Sequence, residues 1–260
     1  MKNEGNEKKR IYLLDEIRGF SVLMMVLFHA YYIMGEFFGI SFGEKLYNFF
    51  LPLEPVFAAV FIILCGISCT LSHSNLKRGL KTLAAALAFT LVTAVILPFF
   101  GIEGAEVYFG ILHFLAVSIL IYALCHKLIN LIPPLAGIAI SIILFAFFFQ
   151  IEKHKLGFGN LLVINLPESL YSANYLIPFG IYNADFYSAD YFPLLPFIFV
   201  FFTGNYVGSI FREKGYPNYF YKKRLSFLDF CGTHAFLIYL LHIPVTALIV
   251  YGVLSIIKLF

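Results

Sequence analysis

Seven stretches of this chain are long and apolar enough to cross a bilayer, and that limits the fold more than any other feature. A span needs about 20 mostly apolar residues. The stretches fall near 13–35, 53–73, 80–100, 107–127, 133–151, 191–211 and 233–257. Hydrocarbon offers a backbone no water, so a segment of this length must pair its own amides as a helix. The expected fold is all-α: a polytopic membrane helix bundle of about seven transmembrane helices. Composition agrees, because 61% of the 260 residues are hydrophobic and only 13% are charged. A soluble domain has about 45–50% apolar and about 25% charged residues. The fifth stretch opens on Pro133 and Pro134, which the first helical turn tolerates because it has no amide bonds to lose.

Lysine and arginine orient the bundle, since they collect on the cytoplasmic side. With a cytoplasmic N-terminus, the inner side holds Lys2, Lys8, Lys9, Arg10, Arg18, Lys77, Arg78, Lys81, Lys127, Arg212, Lys214, Lys222, Lys223 and Arg224. The outer side keeps Lys45, Lys153, Lys155 and Lys258, and its loops carry acids instead, among them Glu106, Glu152, Glu168, Asp185 and Asp190. The reverse orientation inverts this ratio. The expectation is N-terminus inside and C-terminus outside. Residues 1–10 form a cytoplasmic tail rather than a secretory signal, because the apolar run behind them is too long and no small-residue cleavage site follows. Residues 152–190 form an outer loop rich in Asn, Tyr, Gly and Ser, of the length that in compact domains belongs to ordered binding loops. No internal repeat is visible, and one domain over 1–260 is the simplest organisation. The four cysteines, Cys65, Cys69, Cys125 and Cys231, lie in or beside apolar runs without metal-ligand spacing, so they read as buried thiols and no metal is expected.

The polar groups inside the spans are the candidates for chemistry, because an ionisable side chain in a bilayer is costly and faces protein or water. Arg18 and His29 are eleven positions apart in "DEIRGFSVLMMVLFHA". Eleven steps of 100° return to within about 20° of the same helix face, about 16 Å along the axis. His29 then lies near mid-bilayer, as does His242 in "GTHAFLIYLLHIPV", while His113 lies a turn or two inside the outer end of its helix. Each could be a satisfied polar bridge between helices, and such bonds average only about 0.6 kcal/mol. Each could instead be a general base or a nucleophile, for which imidazole is suited near neutral pH. On the inner side "GISCTLSHSNLKRGLK" offers Ser72, Ser74 and Asn75 as donors or a helix cap, with Lys77, Arg78 and Lys81 as cations. Donors and cations at a helix start suit phosphate; an ordinary positive-inside loop looks the same. Arg18 has a plainer role as an interfacial anchor paired with Asp15. Asp190 could hold a histidine or an amine, or cap the helix that follows it.

The blocks "LLDEIRGFSVLMMVLFHAYY" and "FIILCGISCTLSHSNLKRGLKTL" resemble the catalytic-domain family of heparan-α-glucosaminide N-acetyltransferase, most closely its small bacterial members. "VYFGILHFLAVSIL", "DYFPLLPFIFVFFTGNYVG" and "GTHAFLIYLLHIPV" are similar to later blocks, so the resemblance covers about residues 11 to 250. The wider superfamily carries an Arg-then-ten-residues-then-His pattern in its first helix, which Arg18 and His29 match. The resemblance implies a membrane acyltransferase that takes an acyl group from cytoplasmic acyl-CoA, acetyl-CoA above all, and passes it to an acceptor reached from outside. On that pattern His29 is catalytic, and Arg18, Lys77 and Arg78 meet the phosphates of CoA. The implied partners are the lipid bilayer of a bacterial cytoplasmic membrane, acyl-CoA and a glycan or amino-sugar acceptor. A homo-oligomer is left open and no nucleic acid is expected. The competing readings are a transporter with a histidine proton relay, which the lack of a repeat disfavours, and a non-catalytic scaffold.

Overall fold

A computed structural model describes residues 10–257. Lys2, Lys8, Lys9 and Lys258, with nearly all of the 1–10 tail, lie outside the described residues. In chain order the helices are α1 (Tyr12–Tyr32), α2 (Ser41–Phe50), α3 (Glu54–Leu71), α4 (Asn75–Leu91), α5 (Leu97–Phe99), α6 (Ile111–Ile129), α7 (Pro134–Phe148), α8 (Leu194–Lys214), α9 (Ser226–Thr233) and α10 (Ala235–Ile257). One hairpin pairs β1 (Lys155–Gly157) antiparallel with β2 (Val163–Asn165). Among the described residues, seven helical segments meet the length and hydropathy of a span: Tyr12–Phe37, Ser41–Leu71, Asn75–Phe99, Ile111–Ile129, Pro134–Lys153, Leu194–Lys214 and Ala235–Ile256. The chain is an all-α polytopic helix bundle, as expected.

Several boundaries differ from the sequence expectation for local reasons. The third segment begins at Asn75 rather than 80 because Ser74 caps α4, accepting from the Lys77 amide at 3.4 Å. The sixth begins after Pro193, which cannot continue a helix backwards. The second reaches back to Ser41 because α2 runs through a short turn at Leu51–Leu53 into α3. Pro134 occupies the first turn of α7, where its missing amide costs nothing.

The chain divides into two compact units, one made of residues up to Leu64 together with those from Tyr216 onward, the other of Cys65–Gly215. In the first unit α1 packs on α9 and α10. The approach to α9 is set by two glycines. A Cβ on Gly19 would overlap the Leu228 carbonyl oxygen, and one on Gly232 would overlap the Asp15 carbonyl oxygen. Small residues of this kind let membrane helices touch backbone to backbone. The next turn of α1 places Val22 in a buried cluster with Cys231 and Ala235. At the start of α1 Glu16, 4% exposed, accepts from the amides of Arg224 (2.6 Å) and Leu225 (2.9 Å), so a buried carboxylate caps the approach to α9. Asp229 of α9 pairs with Arg10 and with Lys223 (2.9 Å).

In the second unit α3 meets α8, α4 meets α6, and α7 meets α8. Gly66 lies against the Phe201 carbonyl, and the Asn205 amide nitrogen, 1% exposed as a residue, donates to the Gly66 carbonyl at 2.6 Å. Gly79 faces Leu120, and Gly137 faces the ring of Tyr206. The outer loop is ordered by its own aromatic packing: His154 stacks on Tyr171 at 3.6 Å, and Tyr182, Phe186 and Tyr191 lie 5.0–5.1 Å from one another. The Tyr171 hydroxyl donates to the Ile151 carbonyl.

The glycine contact gives a direct test. Gly19→Ala adds only the Cβ that overlaps Leu228, and overpacking of this kind costs about 1–3 kcal/mol. A lowered unfolding temperature in detergent is expected, while Gly252→Ala, whose Cβ meets nothing within 4 Å, should leave the temperature unchanged.

Candidate functional site

The first unit brings together His29 of α1 and His242 of α10, with ring centroids 4.8 Å apart and planes at 75°. Each ring is anchored to its own helix. Nδ1 of His29 lies 2.9 Å from the Met25 carbonyl oxygen, and Nδ1 of His242 lies 2.5 Å from the Tyr239 carbonyl oxygen. A carbonyl can only accept, so Nδ1 carries the proton in both rings. The neutral imidazole then presents Nε2 as a lone pair. Nε2 of His242 is buried without a hydrogen-bond partner among the described residues, in a side chain only 6% exposed. His29 is partly exposed. The backbone has thus fixed one tautomer twice, and in His242 it leaves Nε2 as a basic nitrogen.

The shared stripe of Arg18 and His29 is real, and the structure shows what it faces. Arg18 donates to Asp15 at 2.7 Å and to the Gly232 carbonyl at 3.5 Å, beside the Gly19 contact with α9. Eleven residues later the same stripe presents His29 to α10. Arg18 is therefore held in an ion pair, the plainer of its two sequence readings.

The second unit holds the basic cluster. Ser74 caps α4, and Asn75 donates to the Cys69 carbonyl at 2.8 Å. Lys77 and Lys81 are exposed and Ser72 is half-buried. Arg78 turns inward instead: its guanidinium donates to Cys65 Sγ at 3.1 Å and to Cys69 Sγ at 3.8 Å. Nothing in the spacing of "SNLKRGLK" separates Arg78 from its neighbours. The signal was in α3, where Cys65 and Cys69 share the face that receives it.

His113 and Asp190 also meet in this unit, at the start of α6. His113 Nδ1 accepts from the Gly110 amide at 3.3 Å, and its Nε2 lies 3.1 Å from the Thr90 hydroxyl. That hydroxyl donates to the Val107 carbonyl at 2.8 Å, so it accepts from His113. The ring is a neutral Nε2–H tautomer with both nitrogens used, and it ties α4 to the start of α6. Asp190 Oδ2 accepts from the Ile111 amide at 3.1 Å and sits where a Cβ on Gly110 would be. It caps α6, not α8, the helix it precedes in sequence. Outside the spans, burial raises the phenol of Tyr182 to about 12, with Glu152 adding to the effect, and burial likewise raises that of Tyr191. Both hydroxyls therefore act as donors, Tyr182 to Glu152 (3.0 Å) and Tyr191 to the Ile177 carbonyl (2.7 Å).

A family model described as heparan-alpha-glucosaminide N-acetyltransferase, catalytic, matches residues 10–244. The chain belongs to that family. The match spans every candidate residue named above, from Arg18 to His242, and with the seven apolar helices it marks a membrane acetyltransferase. No curated protein and no solved structure matches the chain. Within this N-acetyltransferase-family chain the candidate residues divide between the units: Arg18, His29 and His242 in the first, and Ser72, Ser74, Asn75, Lys77, Arg78, Lys81, His113 and Asp190 in the second.

The two kinds of histidine should separate by stability. His113→Ala leaves the Gly110 amide and the Thr90 hydroxyl short of a partner, and an unmade buried bond costs about 1–3 kcal/mol. Thermal unfolding in detergent should show the loss, and His113→Asn, which retains a polar side chain at the Gly110 amide, should recover part of it.

Proposed function

We propose that the chain moves an acetyl or other acyl group from cytoplasmic acyl-CoA to an amine or hydroxyl of an extracytoplasmic sugar-type acceptor. The observation that carries this reading is the His29–His242 pair, two rings 4.8 Å apart whose Nδ1 atoms are both tied to backbone carbonyls. A nucleophile X–H must lose its proton as it attacks the thioester carbonyl, and a basic Nε2 near mid-membrane is the group to take it. His29, the more exposed ring, acts as the base. The X–C bond forms as the C–S bond breaks, and the CoA thiolate leaves and takes up the proton. His242 holds a second basic nitrogen against His29. Its burial keeps water from that nitrogen, and its contact with His29 fixes the ring that faces substrate.

For the donor, the start of α4 is the favoured phosphate site. Its amides, the Ser72 and Ser74 hydroxyls and the exposed Lys77 and Lys81 offer donors and charge together. Arg78 supports that site from behind through its bonds to Cys65 and Cys69 of α3.

Calorimetry with acetyl-CoA and longer acyl-CoAs, on purified protein in detergent, tests the donor. Saturable binding is expected, weakened at least about tenfold by Lys77→Glu with Lys81→Glu, as loss of two phosphate-facing cations requires. His29→Ala should keep donor binding and lose transfer to amine acceptors by about 10²–10⁴-fold, the usual worth of a general base. Folded protein that binds no acyl-CoA of any chain length overturns the reading.

A further inference from the structure

We propose that the outer segment of the second unit holds a binding cleft for an organic ammonium ion, separate from acyl transfer and standing whether or not that reaction occurs. The cleft measures about 380 Å³ and lies between the chain around Glu106 and the chain around Asp185. That is the size class of small-molecule sites, about 300–1,000 Å³. Three aromatic side chains line it, Tyr108, Phe186 and Tyr187. Its two charged side chains, Glu106 and Asp185, are both carboxylates, and no lysine, arginine or histidine lines it. Neither carboxylate has an ion-pair or side-chain hydrogen-bond partner among the described residues.

Aromatic faces and unpaired carboxylates together select for a cation with an apolar skin. A ring quadrupole attracts an alkylammonium, most strongly when both are partly dehydrated. The carboxylates add charge attraction that a neutral ligand of equal shape does not feel. Bare metal ions do not fit this wall, because aromatic rings cannot replace their oxygen ligands.

The walls are held before any ligand arrives. The Ala189 amide donates to the Glu106 carbonyl at 2.8 Å, the Tyr108 amide to the Ser188 hydroxyl at 3.2 Å, and the Tyr187 hydroxyl to the Gly104 carbonyl at 3.1 Å. Phe186 is braced from behind by Tyr182 and Tyr191, at 5.0 and 5.1 Å. A preformed wall reduces the ordering cost of binding. A neighbouring cleft of about 340 Å³ makes a useful contrast. Its Glu152 already accepts from Tyr182, and its His154 is stacked on Tyr171, so these titratable groups of either sign are held close to aromatic neighbours of the chain.

The ammonium could come from a soluble amine or from the headgroup of a zwitterionic lipid, and the same chemistry serves both. The test is calorimetry on the whole purified protein in a neutral detergent, with choline as probe and 3,3-dimethylbutan-1-ol as its uncharged isostere. Choline should saturate and the isostere should not. Glu106→Gln with Asp185→Asn should weaken choline at least about tenfold, and Glu168→Gln, in the neighbouring cleft, should not. Equal response to choline and its isostere, or unchanged choline binding in the double variant, overturns the proposal. The isostere comparison on unaltered protein decides even if the double variant fails to fold. In nanodiscs, competition by phosphatidylcholine but not phosphatidylglycerol identifies the lipid headgroup as the source, and choline binding retained in both identifies a soluble amine.

Discussion

Every polar group in this protein's spans must find its partner inside the chain, because hydrocarbon supplies none. That constraint explains the histidines first. His29 and His242 each give one nitrogen to a carbonyl of their own helix, and His113 spends one nitrogen on the turn before α6 and the other on Thr90 of α4. It explains Glu16 as well, a buried carboxylate that answers two backbone amides ahead of α9. It also explains why Arg78 lies against sulfur: on the inner face of α4 the available acceptors were Cys65 and Cys69. A polar residue in such a chain is either consumed by the fold or left with one unmet valence. Within the spans, among the described residues, the second case includes Asn75 Oδ1, Ser118 Oγ, Asn205 Oδ1 and Nε2 of His242, and of these only the imidazole nitrogen is a base suited to neutral pH.

Most of the architecture was legible because it depends on length and hydropathy. Seven spans follow from seven apolar runs, and the proline start of α7 and the Ser74 cap of α4 follow from local rules. The pairing of helices was not legible. It rests on glycines such as Gly19, Gly66 and Gly232, and a glycine in sequence does not announce which backbone it will meet. The split into two compact units was equally hidden, since the boundary falls inside α3, an unbroken apolar run.

At the candidate site the sequence located residues better than it located partners. The periodicity placed Arg18 and His29 on one stripe, and the structure keeps them there. Periodicity within one helix offered Asp15 as the partner of Arg18, three residues away, but could not say that α10 would bring His242 to His29. Asp190 shows the limit most clearly. A carboxylate before an apolar helix is read as the cap of that helix, yet tertiary contact gives it to Ile111, 79 positions away.

That bond across 79 positions ties the outer segment to α6. Asp190 sits three residues beyond Tyr187, and Ile111 is the first residue of α6, two residues before His113. The chain just beyond the Asp185–Tyr187 stretch is bound to the first turn of α6 through Asp190, and to the chain before α6 through the Ala189–Glu106 and Phe192–Phe109 backbone bonds. A contact that engages this stretch thus acts on a segment already tied to the end of a membrane-spanning helix.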